Sequence, residues 1–347
     1  MGSTISLLKY LPPWRDLIHP TPETYTQILT IWQYFAPLTT IQWLTAYFPM
    51  GKTSLKSSPF NIPGRIAWSI MELVAPINLL YQFNTLPHKM NLTPSQLPTP
   101  NKLLATLYVT HYINRAIISP LFASPSVSPI HALIVVCASL FNWFNSTCLA
   151  AWLVGYHVPI SGYRADGYGS GSSSGSHTFL PYIGIVLFIL GMAGNIVSER
   201  TLFRLRRAEA EKVADKKSDT TQGGSRYSKV YVIPPAKGLF RSVLYPHYVW
   251  EWVEWAGFIL VGTAVYPAAR GDVQVGREIK LVPWLVPGAA IAEWLRVPLP
   301  LPAVIFFVNA VATMVPQARR GKKWYLERFG SEKVAGRGAV VPFSSWL

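Results

Sequence analysis

Charge is scarce in this chain, and acid scarcer still. Only 14% of the 347 residues are Asp, Glu, Lys or Arg, with 16 acids against 31 basic residues. Soluble domains carry about a quarter charged residues, and half of this chain is hydrophobic, so a free-standing soluble fold is excluded. The two cysteines, Cys137 and Cys148, share one apolar stretch; no structural disulfide and no metal site is expected. A phosphate-cradling GxGxxG is also missing. The glycine-rich run at 167–175, GYGSGSSSG, lacks that spacing and precedes an apolar segment, so it reads as a linker. There is no internal repeat. Residues 1–20 are broken by Pro12, Pro13 and Pro20 with charges between them, which does not suit a signal peptide.

What is present is a series of long apolar runs. A membrane crossing takes about 20 such residues, and seven stretches qualify: 25–48, 66–83, 103–122, 131–156, 178–198, 245–266 and 299–316. The net charge of +15 is concentrated in two places. Arg200, Arg204, Arg206, Arg207 and Lys212 begin one cluster, and Arg319, Arg320, Lys322 and Lys323 begin the other. That distribution fits the excess of cytosolic Lys and Arg in membrane proteins better than a nucleic-acid footprint, and no nucleic-acid partner is expected. The reading is an all-α integral membrane protein of about seven transmembrane helices, with the bilayer as its partner. Residues 1–24 form a lumenal N-terminal segment and 25–316 the membrane domain, with insertions at 209–228 (cytosolic) and 267–297 (lumenal). Residues 317–347 are a basic cytosolic tail. Lys52, Lys56 and Arg65 fall in a cytosolic loop on this scheme, and the sequon at Asn91 lies on the lumenal side, followed by Pro94.

The informative residues are polar ones inside the apolar runs. His247, Glu251 and Glu254 are spaced by four and three, on one side of a helix. Ionisable groups at membrane depth are costly and normally face a bundle interior or a wet cavity. Glu72 lies six to eight residues into its run, or about 9–12 Å deep, and Tyr112 lies about 15 Å deep. Asn195 and Glu199 share a face near a cytosolic end. Together they describe a cavity open to the cytosolic side, with a deeper pair, Glu72 and Tyr112, and a shallower ring of Asn195, Glu199, Arg206, His247 and Glu251. Each has a plainer reading: Glu72 paired with Arg115, Tyr112 as an interface aromatic, Asn195 bonding between helices.

The run NIVSERTLFRLRR, then YVIP and KGLFRSVLYPHYVWEWVEWAGF, then KKWYLERFG and GRGAVVPF, resembles the steroid 5α-reductase family. The likeness is weaker upstream, in PGRIAWSIMEL and THYINR, and covers roughly 61–347. It implies a seven-helix enzyme of the endoplasmic reticulum membrane, its C-terminus cytosolic. Such an enzyme uses NADPH to reduce a carbon–carbon double bond conjugated to a ketone in a lipophilic substrate. By position, Glu72 and Tyr112 would hold the substrate carbonyl oxygen. Asn195, Glu199, Arg206, His247, Glu251 and Tyr325 would line the cofactor site, with Asn145 a further member. Met71, His247, Gln317 and Gly321 stand where the family commonly has Gln, Asn, Arg and His.

The residue types suit that chemistry. Hydride addition at the β-carbon pushes negative charge onto the enone oxygen, which needs donors already in place. Tyr112 is one, and a Glu72 kept protonated by apolar surroundings is another. Arg206 suits the cofactor phosphates by bidentate bonding. Polyprenol reductases and trans-2-enoyl-CoA reductases are similar in the C-terminal half and remain alternatives. So does a sterol-binding membrane protein without turnover. An isoprenylcysteine methyltransferase is disfavoured because Leu244-Tyr245-Pro246-His247-Tyr248 lacks the Arg-His that precedes proline in that group.

Overall fold

The computed structural model describes residues 12–45, 58–163, 179–216, 227, 230–265 and 274–346. The helices in chain order are α1 (Trp14–Ile18), α2 (Pro22–Gln33), α3 (Phe35–Leu38), α4 (Ile41–Leu44), α5 (Gly64–Thr85), α6 (Thr99–Tyr112), α7 (Ala132–Leu153), α8 (Leu180–Lys216), α9 (Pro246–Gly262), α10 (Val286–Trp294) and α11 (Leu301–Val334). The protein is an all-α membrane protein: among the described residues, four helical stretches, Gly64–Met90, Ala132–Leu153, Leu180–Asp215 and Leu301–Val334, are long and apolar enough to cross a bilayer. Two short strand pairs pin their ends. Asn61–Ile62 runs antiparallel to Ile130–His131, and Tyr156–His157 runs parallel to Gln274–Val275.

Three expected runs take a different form. The run at 25–48 is not one helix within the described residues. Pro37 has no N–H to offer the Gln33 carbonyl four residues back. The chain leaves helical geometry at Tyr34 (φ −89°, ψ 3°) and continues as the short turns α3 and α4. The vacated Gln33 carbonyl accepts from Trp284 Nε1 at 3.2 Å. The run at 103–122 is α6 continued by a π-helical segment, Ile113–Ala123. The run at 245–266 gives α9, a helix of 17 residues. Lys52, Lys56, the 167–175 linker and most of the 209–228 insertion lie outside the described residues.

The insertion at 267–297, described from residue 274, is fastened to α2. The Gln33 side chain donates to the Lys280 carbonyl (3.1 Å) and accepts from the Val282 amide (3.2 Å). With nine residues, α10 is too short to cross. The aromatic core lies between α2, α6, α7, α9 and α11, where Trp32, Tyr108, Trp255 and Phe258 are almost completely buried.

The helix pair α8 and α9 packs at glycines. A Cβ on Gly184 would sit 2.6 Å from the Gly257 carbonyl oxygen, and one on Gly191 would sit 2.6 Å from the Glu254 Cα. Small residues of this kind let helix backbones approach closely in a membrane. Here they seat the acid-bearing face of α9 against α8. Gly191→Ala should therefore cost about 1–3 kcal/mol as an overpacking change between rigid backbones, read as a lowered thermal midpoint in detergent. An unchanged midpoint would contradict the close approach.

Candidate functional site

The helix α5 presents Trp68 and Glu72 one turn apart on one face. Opposite them α6 ends at Tyr112 and widens into the π-helical segment. A proline within an α-helix collides with the carbonyl four residues back, and π-turns recur at functional sites; Pro120 lies inside this segment. The segment carries Arg115 and Ser119 towards α8 and α9. The Arg115 Nε is 3.4 Å from Glu72 Oε1, and its terminal nitrogen is 3.4 Å from Glu251 Oε2. Asn195 Nδ2 donates to the same Glu251 oxygen at 3.1 Å, and Ser119 donates to Glu199 at 2.9 Å. A guanidinium thus stands between the carboxyl of the deeper pair and that of the shallower ring.

The deeper pair is joined by a residue that sequence reasoning missed. The Tyr112 hydroxyl donates to Asn142 Oδ1 at 3.1 Å, and Asn142 Nδ2 lies 2.7 Å from the Met71 carbonyl and 3.4 Å from Glu72 Oε2. Asn145, one turn further along α7, is fully buried and donates instead to the Tyr108 hydroxyl at 3.0 Å. It does not join the cluster around Arg115. The two asparagines share the motif FNWFNST, and only the rotation of α7 tells them apart. The sequence marked Glu254 but not its partner: His111 Nδ1 is 2.8 Å from Glu254 Oε1, and both residues are buried.

A cavity of about 310 Å³ opens beside this cluster. Arg115, Ser119, Glu199 and Arg206 line it with Trp68, Phe203, Tyr231, Trp324 and Tyr325, and Ser124, Ser126 and Ser128 add hydroxyl-bearing residues. Of the residues expected at a cofactor, Glu199, Arg206 and Tyr325 line the cavity directly. Glu251 and Asn195 reach it through Arg115. His247 stands with the aromatic group beside it, 4.6 Å from Tyr248 between ring centres, and its carbonyl accepts from Asn195. Aromatic faces, hydroxyls and a guanidinium are the kinds of groups a dinucleotide uses, so the lining fits one in kind.

Arg206, expected at the cofactor phosphates, is also bonded to the cavity wall. Its three guanidinium nitrogens donate to the carbonyls of Val230 (3.2 Å), Ser126 (3.1 Å) and Tyr227 (3.2 Å). It ties two wall segments together with three of its five N–H groups. Arg207 bonds the Ala123 carbonyl, and Arg65 bonds those of Leu121 (2.6 Å) and Ser124 (2.9 Å). Cations gathered on the last carbonyls of a helix also suit its dipole.

The unusual positions near the tail have local partners. A Cβ at Gly321 would strike the Tyr245 hydroxyl, which fills that space. Gln317 Oε1 accepts from Tyr248 at 3.5 Å. Arg337, buried at 1% exposure, donates to the carbonyls of Pro234, Phe240, Lys333 and Val334. Desolvation lowers its pKa, and nearby Tyr325 opposes that shift. The tail is thereby sewn to the strip that leads into α9.

Comparison with known proteins now bears on the site. Residues 128–269 match the family model described as 3-oxo-5-alpha-steroid 4-dehydrogenase. An uncharacterized protein of Schizosaccharomyces pombe is 31% identical over 85% of this chain and 90% of its own length. A steroid 5-alpha-reductase of Arabidopsis thaliana is 28% identical over 85% of this chain and 87% of its own. A 3-oxo-5-alpha-steroid 4-dehydrogenase 1 of Rattus norvegicus is 25% identical over 85% of each.

The bonding of Arg206 predicts a structural effect in the absence of any nucleotide. Hydrogen bonds from a charged donor contribute about 1.5–3 kcal/mol each where they are well formed. Arg206→Ala should lower the stability of the ligand-free protein by about 2 kcal/mol, measured as its thermal midpoint in detergent. A midpoint equal to wild type, with weakened nucleotide binding alone, would return Arg206 to a pure phosphate role.

Proposed function

Because this chain belongs to the 3-oxo-5-alpha-steroid 4-dehydrogenase family, we propose that it reduces the carbon–carbon double bond of a lipophilic enone with NADPH. A 3-oxo-Δ4 steroid is the substrate we favour. The observation that carries this reading is the convergence of the Tyr112 hydroxyl and the Glu72 carboxyl on Asn142, one residue removed from the Arg115 bridge. Two acidic hydrogens can meet at one carbonyl oxygen there, beside a cavity whose lining suits a dinucleotide.

The division of labour follows from the residues. NADPH, if bound in this cavity, would supply the hydride. Tyr112 and a protonated Glu72 donate to the enone oxygen, and they bind it more strongly as negative charge gathers during addition to the β-carbon. Such stabilisation acts on the transition state more than on the ground state. The carbonyl re-forms as the α-carbon takes a proton from solvent, so that one hydride from the cofactor and one solvent proton saturate the double bond. Three buried carboxyls, Glu72, Glu251 and Glu254, share two basic partners, Arg115 and His111. A buried surplus of negative charge is costly, which favours a proton kept on a carboxyl. Asn142 fixes the separation of the two donors. Glu199, Ser119 and Tyr325 would hold the cofactor, with Arg206 keeping the cavity wall in place and Asn195, His247 and Glu251 supporting it. Asn145 stays in the proposal only as a support for Tyr108. The seven-span topology, a cavity open to the cytosol, the cytosolic tail and residence in the endoplasmic reticulum membrane belong to the same proposal.

Membranes bearing the protein should oxidise NADPH when a 3-oxo-Δ4 steroid is added. Glu72→Ala and Tyr112→Phe should each lower kcat by roughly a hundredfold or more, the scale of losing one oxyanion donor, with a much smaller effect on nucleotide binding. A protein inert towards steroids, polyprenal-type enones and enoyl-CoA alike would sink the reading.

A further inference from the structure

The bridge made by Arg115 depends on a carbonyl that the chain itself leaves short of a donor. In a π-helix the amide of residue i+5 donates to the carbonyl of residue i. That pattern is seen at the end of the segment, where the Ser124 amide donates to the Ser119 carbonyl at 2.8 Å. For the Arg115 carbonyl the corresponding donor is residue 120, which is proline and has no N–H. The indole Nε1 of Trp68 occupies that place, 3.1 Å from the Arg115 oxygen. The same indole ring lies under the arginine side chain, with the guanidinium carbon 5.1 Å from the ring centre, inside the range of a cation–π contact. One turn along the same face of α5, Glu72 receives the Arg115 Nε.

We propose that Trp68 is a positioning residue for Arg115. Its N–H replaces the hydrogen bond that Pro120 removes, and its ring guides the guanidinium to a place between Glu72 and Glu251. This role rests on the reductase reading above. Arginine has a long, flexible side chain. Held at both its backbone and its guanidinium by one helix, it serves both carboxyls; released, it would settle on one and leave the other uncompensated. The fold uses the same exchange elsewhere, where Trp284 donates to the Gln33 carbonyl that Pro37 cannot serve. The plainer role for Trp68 is a cavity wall, which needs the ring but not the N–H.

Two substitutions separate these roles. Trp68→Phe keeps an aromatic face and removes the N–H, while Pro120→Ala returns an N–H to residue 120. Trp68→Phe should lower kcat roughly tenfold, through a guanidinium no longer held between Glu72 and Glu251, with KM for NADPH within about threefold of wild type. In a Pro120→Ala background, Trp68→Phe should cost little beyond Pro120→Ala itself, because the restored N–H at residue 120 serves the Arg115 carbonyl, so most of the Trp68→Phe loss is recovered in the double variant. Adding Trp68→Phe to Arg115→Lys should cost little more. Additive losses in the double variant, or a full Trp68→Phe loss in the Arg115→Lys background, would overturn the proposal while leaving the reductase reading intact. An inert wild type would sink that reading separately. The same variants compared by thermal midpoint would then decide the hydrogen-bond exchange: recovery in the double variant supports it, and additive losses refute it.

Discussion

The site depends on one guanidinium held among carboxyls in a largely apolar bundle. Arg115 lies 3.4 Å from both Glu72 and Glu251, and through them it touches both halves of the proposed chemistry. A buried ion pair seldom adds much net stability, because desolvation cancels most of the attraction, yet removing one partner leaves an uncompensated charge at high cost. The arrangement is therefore better understood as a constraint on geometry than as a source of stability. It ties α5 and the π-helical segment to α9, and α9 in turn is locked to α8 by contacts that only glycine permits. If any of these helices shifts by a turn, a carboxylate is left alone in apolar surroundings.

Much of this was legible in the sequence, for physical reasons. Apolar runs of membrane length announce themselves, and carboxylates inside them have few tolerable positions. Depth and helical face led to Glu72, Tyr112, Glu199 and Glu251 as neighbours of one cavity; in the structure Glu72 and Glu251 flank Arg115, Tyr112 reaches Glu72 through Asn142, and Glu199 lines the cavity. What the sequence did not reveal is whatever depends on helix rotation or on backbone partners. Asn142 and Asn145 are one turn apart in the same motif, and only the rotation of α7 decides which meets Tyr112. Arg206 was expected at the cofactor phosphates, and the sequence carried no sign that three of its N–H groups bond the carbonyls of Ser126, Tyr227 and Val230. Nothing in a string of letters reports which carbonyls a fold leaves unserved. Arg115 was visible only as a structural partner for Glu72, because the second contact comes from a helix more than a hundred residues away.

The two interrupted runs have a common cause. Proline removes an N–H and so leaves a carbonyl without its helical donor. In water that carbonyl would bond to solvent, but inside an apolar bundle it needs a partner from the protein. At Gln33 and at Arg115 the partner is an indole, a group whose apolar body suits the bundle and whose single N–H suits a carbonyl. At Gln33 the exchange fastens a loop. At Arg115 it meets a second requirement, because the residue whose backbone is served also carries the guanidinium at the centre of the charge cluster. The widened helix turn, the proline and the tryptophan are thus one device. Its effect is to convert a backbone irregularity into a fixed side-chain position, at the point where the proposed reaction has most need of one.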